Sequence, residues 1–262
     1  MRARLAVAFV AVFTALVVAA CGSGGGSSTS GGKPDLVVSA ASSLKDAFTQ
    51  YGNGFDAANV RASFAGSDEL AAQIRQGVKP DVFASANTKL PDELFKDGLV
   101  EKPTVFAGNR LVIAVPANGS KVSSLADLEK SGVKVAMGSE SVPVGIYTRK
   151  VLSGLPSAES AKVLANVRSN EPDVAGVVGK LTQGAVDAGF VYITDVDATD
   201  GKLKAVDLPD SLQPQVAYGV AVVKGAKHPE QAKEFIAGLL NGAGQQALKA
   251  AGFEPPPPAS GT

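Results

Sequence analysis

Two serine-bearing turns carry the most specific chemistry in this chain. Ala40-Ala41-Ser42-Ser43-Leu44-Lys45-Asp46 and Phe64-Ala65-Gly66-Ser67-Asp68-Glu69 each follow an apolar run and open a helical pattern. A hydroxyl placed there stands beside backbone N–H groups that the first helical turn leaves without internal acceptors, at the positive end of the helix dipole. Taken singly, each serine reads as an N-cap, and Ser43-x-x-Asp46 is a capping box. Two such helix starts converging at the carboxyl ends of parallel strands would instead make an anion site without any Lys or Arg.

Other chemistry finds little support. With a single Cys and a single His, the chain has the makings of neither a disulfide framework nor a Cys/His zinc site. That lone His228 precedes Pro229, the favoured first residue of a helix, and has no nucleophile–base partnership in sight. Gly52-Asn53-Gly54-Phe55-Asp56-Ala57 mimics a dinucleotide loop but follows a helix, not a strand, so it reads as a helix-ending turn. Asp195, Asp197, Asp200 and Gly201 approximate a calcium loop with its glycine displaced and its closing Glu missing, which fits a solvated loop better. A glycosidase-like carboxylate pair has no identifiable position. Twenty-five basic residues balance 25 acidic ones, which argues against a nucleic-acid binder.

The elements that must position these turns alternate. Of the 262 residues, 45% are hydrophobic and 19% charged, a globular balance. Strand patterns fall at 35–40, 60–64, 81–85, 110–115, 134–137, 188–192 and 216–223. Helical patterns fall at 44–51, 68–76, 91–96, 125–130, 144–152, 174–182, 229–240 and 244–250. Strands alternating with helices predict an α/β fold with parallel sheets covered on both faces. The end, 255–262, begins with four prolines and reads as a frayed tail.

The first 20 residues read as a targeting segment. Arg2 and Arg4 precede an apolar stretch over 5–18, too short for a bilayer span of about 20 residues. The stretch ends in Val18-Ala19-Ala20-Cys21, which resembles a bacterial lipoprotein signal with cleavage before a lipidated Cys21. A Gly/Ser tether completes residues 21–33. The combination predicts a globular domain held against a membrane by its anchor.

Val38-Ser39-Ala40-Ala41-Ser42-Ser43-Leu44-Lys45-Asp46-Ala47-Phe48 resembles the opening strand and helix of periplasmic molybdate-binding proteins, the receptors of molybdate ABC importers. Ser63-Phe64-Ala65-Gly66-Ser67 is similar to that family's second binding turn, and Pro80-Asp81-Val82-Phe83-Ala84-Ser85-Ala86 to its next strand. Val142-Pro143-Val144-Gly145-Ile146-Tyr147 resembles a Val-Pro-Ala-Gly-x-Tyr turn, with Val144 where Ala is usual. Asp173-Val174 and Gly189-Phe190-Val191-Tyr192 follow in the family's order.

The resemblance implies a two-lobed, type II periplasmic-binding-protein fold with the ligand in the interlobe cleft. Lobe 1 would comprise 34–112 and 218–254, lobe 2 would comprise 113–217, and crossings near 112–115 and 215–219 would form the hinge. Ser43 and Ser67 would bind molybdate, or tungstate, through hydroxyl and backbone N–H groups. Val144 and Val174 would do so through backbone N–H groups, and Tyr192 through its phenol. Without the resemblance, Val144 and Val174 read as packing residues and Tyr192 as a strand-end residue. The protein would be a monomeric receptor, not an enzyme, with no cofactor. It would sit on the extracytoplasmic face of the cell membrane, partnered by an ABC permease and ATPase. Receptors for sulfate or phosphate, or an α/β hydrolase, are the alternatives.

Overall fold

The computed structural model describes residues 32–258. The signal segment at 1–20, Cys21, nearly all of the tether and the last four residues of the tail lie outside the described residues. In the first half, β1 (Asp35–Ala41) passes through a 3-10 turn (Ser42–Leu44) into α1 (Lys45–Asn53). β2 (Asn59–Ala65) leads to α2 (Ser67–Arg75), and β3 (Val82–Ser85) to α3 (Lys89–Lys96). β4 (Thr104–Asn109) and β5 (Leu111–Pro116) then follow back to back, separated by Arg110.

A 3-10 turn (Ala126–Glu129) precedes β6 (Val135–Gly138), α4 (Pro143–Ser153) and α5 (Ser157–Ala165). Next come β7 (Val167–Glu171), α6 (Val174–Thr182), β8 (Ala188–Tyr192), α7 (Ile193–Asp197) and β9 (Leu203–Asp207). β10 (Val216–Val222), α8 (Pro229–Asn241) and α9 (Ala243–Ala250) complete the chain.

These strands form two five-stranded sheets, ordered β2-β1-β3-β10-β4 and β7-β6-β8-β5-β9. Each has three parallel strands followed by two antiparallel relations. β1 is parallel to β2 and β3, whereas β10 is antiparallel to β3 and β4. β6 is parallel to β7 and β8, whereas β5 is antiparallel to β8 and β9. The expectation of parallel sheets is therefore corrected: the sheets are mixed. The antiparallel members β5 and β10 enter their sheets directly after the chain has crossed from the other sheet.

The whole of β5 pairs within the second sheet and the whole of β10 within the first. The first crossing is thus Arg110, ahead of the anticipated 112–115. The second falls after the short turn Asp210–Leu212 and before Val216.

Alternate residues of β1, Leu36, Val38 and Ala40, are fully buried in the core. Beneath them Phe48, Tyr51, Phe55 and Phe235 stack edge to face and tilted, with centroids 4.6–5.6 Å apart. The strands unseen in the sequence, β4, β7 and β9, are all sheet edges. β7, Val-Arg-Ser-Asn-Glu, shows why: an edge strand buries too little to need an apolar run. The helices α5 and α7 were also unforeseen.

The chain is tied down just ahead of the tail. Glu254 and Gly108 exchange both backbone hydrogen bonds, at 2.8 and 3.0 Å, and Pro255–Pro258 lies beside both crossings.

Candidate functional site

The six parallel strands of the two sheets deliver their carboxyl ends to one pocket. Ala41, Ser42 and Ser43 follow β1; Ala65, Gly66 and Ser67 end β2 and start α2; Ala86 follows β3. From the second sheet come Val142, Pro143 and Val144 at the start of α4, Asp173 and Val174 at the start of α6, and Tyr192 at the end of β8. All five residues singled out from the sequence, Ser43, Ser67, Val144, Val174 and Tyr192, therefore line one small pocket. Among the described residues no Lys or Arg lines it.

Neither serine is a cap. The turn before α1 and the start of α2 lack side-chain cap hydrogen bonds, and the N-cap of α2 is Gly66. The Ser43 hydroxyl instead pairs with the Tyr218 phenol at 2.9 Å. The buried Ser67 oxygen accepts the Ala86 backbone N–H at 3.1 Å, which leaves its own proton available to the pocket.

Val144 and Val174 occupy the first turns of α4 and α6, where backbone N–H groups lack internal acceptors. At α6 the Asp173 carboxylate takes the Gly176 N–H at 2.8 Å, so this acid is engaged in capping. The bulk of Val144 is accommodated by Gly138. A Cβ built on Gly138 would lie 2.6 Å from Val144 Cγ1. The valine side chain occupies space that any other residue at 138 would claim.

Tyr192 decides the character of the site. It is 1% exposed, and its phenolic oxygen is buried without a hydrogen-bond partner among the described residues. A buried hydroxyl left unpaired costs about 1–3 kcal/mol, so such a group in a pocket marks where a ligand atom belongs. Burial, together with the neighbouring phenols of Tyr218 and Tyr147 and the Asp195 carboxyl, pushes its pKa well above the ordinary phenol value, so it remains a donor. The pocket thus offers two hydroxyls, a phenol and helix-start N–H groups, a set matched to a ligand rich in acceptors.

Sequence reasoning missed Ala86, Tyr218, Asn109 and Asp195. Tyr218 sits within the apolar run of β10 and reads as core. Asp195, one of the residues of the rejected calcium loop, lies on α7 and accepts the Tyr192 backbone N–H at 2.9 Å. Burial pushes its carboxyl up to about 7, with Asp173 and Asp46 adding to the rise. Among the described residues no group of three His, Cys, Asp or Glu is placed to hold a metal ion, and no helix is long and apolar enough to cross a membrane.

Residues 36–254 match the family described as bacterial extracellular solute-binding protein. This chain belongs to that family. As a solute-binding protein it is not an enzyme.

Among its relatives is the molybdate-binding protein ModA of Mycobacterium tuberculosis, 38% identical over 90% of this chain and 92% of that protein. Another is YvgL of Bacillus subtilis, named as an ABC transporter substrate-binding lipoprotein, 34% identical over 94% and 96%. Among solved structures, the periplasmic molybdate-binding protein of Azotobacter vinelandii superposes with a TM-score of 0.74 at 22% identity, covering 85% of this chain and all of that one. The sulfate-binding protein SubI of M. tuberculosis gives 0.76 at 19%, covering 86% and 88%. The architecture is that of the two-lobed, type II periplasmic binding proteins.

Proposed function

We propose that this solute-binding protein captures molybdate, and tungstate with it, and passes it to the permease of an ABC importer. The observation that carries this reading is the unpartnered, buried Tyr192 phenol in a pocket of donors without a cation. A tetrahedral dianion offers only acceptors, and helix starts from both sheets balance its charge without a Lys or Arg. The 38% identity to a molybdate-binding protein over nine-tenths of the chain selects molybdate among oxyanions of this kind.

Ser43, Ser67 and Tyr192 supply side-chain donors, and Val144 and Val174 supply backbone donors. The residues of the first sheet act as one lobe and those of 111–207 as the other, hinged at Arg110 and at 213–215, and closure buries the oxyanion. Cys21 carries the lipid that holds this monomer at the extracytoplasmic face, in keeping with the lipoprotein among its relatives.

Calorimetry with molybdate, tungstate, sulfate and phosphate tests the ligand. Molybdate and tungstate bind tightly, sulfate less well because it is smaller, and phosphate least because it retains a proton that needs an acceptor. Phosphate binding as tight as molybdate overturns this reading. A Cys21→Ala variant tests the anchor, since unchanged membrane retention with normal processing rules it out.

A further inference from the structure

We infer that Tyr218, which does not line the pocket, is a positioning residue that fixes the Ser43 hydroxyl as a hydrogen-bond donor toward the ligand. The inference rests on the reading that Ser43 contacts the bound oxyanion.

The direction of each bond follows from its donors. The Arg110 backbone N–H can only donate, and it meets Asn109 Oδ1 at 2.8 Å. That bond fixes the orientation of the Asn109 amide, so its Nδ2 faces Thr194 Oγ1 at 2.9 Å and Tyr218 Oη at 3.4 Å. With one amide hydrogen directed at each, Tyr218 Oη receives a proton from Asn109 and cannot return one. Its own proton has a single acceptor among these partners, Ser43 Oγ at 2.9 Å. Ser43 therefore accepts from Tyr218, and its own proton is left for the pocket.

Burial keeps this relay intact. Tyr218 is fully buried, and burial pushes its pKa well above that of an ordinary phenol, so the proton it donates is retained. Its ring is held edge-on by Tyr192, Phe106 and Phe253, with centroids 5.3–6.1 Å away. The relay begins at Arg110, where the chain crosses between the sheets, and through Asn109 and Tyr218 it joins Thr194 of α7 to Ser43 in the pocket. With one of its two lone pairs taken by Tyr218, Ser43 faces the ligand chiefly as a donor, which favours a ligand oxygen that carries no proton. Tyr218 thereby contributes to choosing fully deprotonated oxyanions over protonated ones.

A double-mutant cycle tests this. Tyr218→Phe keeps the ring and removes the relay, so molybdate affinity should fall about two- to ten-fold, the worth of one ordinary hydrogen bond. The ratio of molybdate to phosphate affinity should narrow as well. In a Ser43→Ala background the same substitution should change molybdate affinity less than about two-fold, because its route to the ligand is gone. An equal effect in both backgrounds, or no effect in the wild-type background, overturns the inference. Melting of the ligand-free variants establishes that they fold; should Tyr218→Phe fail, Asn109→Ala removes the directing donor and should narrow the same ratio. A wild-type protein that binds sulfate in place of molybdate refutes the proposed ligand, and the same cycle read with sulfate then upholds or overturns the relay by the same criteria. A wild-type protein that binds none of the four anions refutes both.

Discussion

Gly66 and Pro172 touch across the cleft: a Cβ built on Gly66 would lie 2.5 Å from the Pro172 carbonyl oxygen. Gly66 opens the turn that carries Ser67, and Pro172 leads into the turn that carries Val174. Beside them the Ser141 hydroxyl donates to Asp68, joining the α2 start to the segment before α4. The turns of the two sheets therefore close on each other around Gly66–Ser67–Asp68.

Gly66→Ala props these turns apart. Its backbone, at φ −60° and ψ 134°, suits alanine, so the cost comes from the lost approach and not from strain. Molybdate affinity should fall at least ten-fold by calorimetry while the ligand-free melting temperature moves little. Unchanged affinity would show that the approach of these turns is not needed for binding.

Tyr192→Phe should have effects of opposite sign. Removing an unpartnered buried oxygen raises the stability of the ligand-free protein, by up to about 1 kcal/mol, or ~2–4 °C in melting temperature for a domain of this size. The same change removes a donor to a charged ligand, worth about 1.5–3 kcal/mol, so affinity drops roughly ten- to hundred-fold. A variant that loses both stability and affinity would mean that the phenol is already paired in the free protein.

Ser43→Ala and Ser67→Ala should weaken molybdate by a similar ten- to hundred-fold, on the same estimate of about 1.5–3 kcal/mol. Their stabilities should nevertheless differ from those of lost caps. Ser67→Ala strands the buried Ala86 N–H, which costs about 1–3 kcal/mol, whereas Ser43→Ala strands the Tyr218 proton. Paired calorimetry and melting on each variant measure the two effects separately.

The five pocket residues alone contain nothing that titrates between about pH 6 and 9, which gives a flat affinity profile. Asp195 adds a slope. Its folded-state carboxyl, raised to about 7, lies above an unfolded aspartate near 4. The stability contributed by its neutral form is complete below about pH 4 and is lost as pH rises to about 7. Ionisation also places a negative charge behind Tyr192, so affinity for a dianion should decline through pH 7. Asp195→Asn should flatten the melting temperature between pH 4 and 7 and the affinity between pH 6 and 8. A pH profile unchanged by the substitution would assign the titration elsewhere.

The serine turns were legible because a strand, a hydroxyl and a helix start lie within a few consecutive residues, as in Ala41-Ser42-Ser43 and Ala65-Gly66-Ser67. The type of bond they make was not legible. Ser43 finds its partner 175 residues away in Tyr218, and the capping box that Asp46 suggests does not form. Val144 is larger than the Ala usual at that position, and the space it needs is yielded by Gly138, which nothing in the Val-Pro-Val-Gly motif itself reveals. The parallel halves of both sheets followed from alternation, but β5 and β10 run against their neighbours because each returns from a crossing, and no local pattern encodes that. Likewise the pairing of Glu254 with Gly108 was not legible, since the two lie far apart in sequence.

The insertion of β10 between β3 and β4 also sets an order of assembly. Every strand of the second sheet comes from the contiguous stretch 111–207, so that sheet can form as soon as its own residues have emerged. β4 emerges earlier but has no neighbour in its sheet other than β10, and it stays unpaired until residues 216–222 arrive. The first sheet thus bears the long-range pairings that slow folding, and its half is the last to be completed. A chain halted after residue 210 would carry a finished second sheet and three-fifths of the first, with β4 an open edge available to chaperones or to other chains.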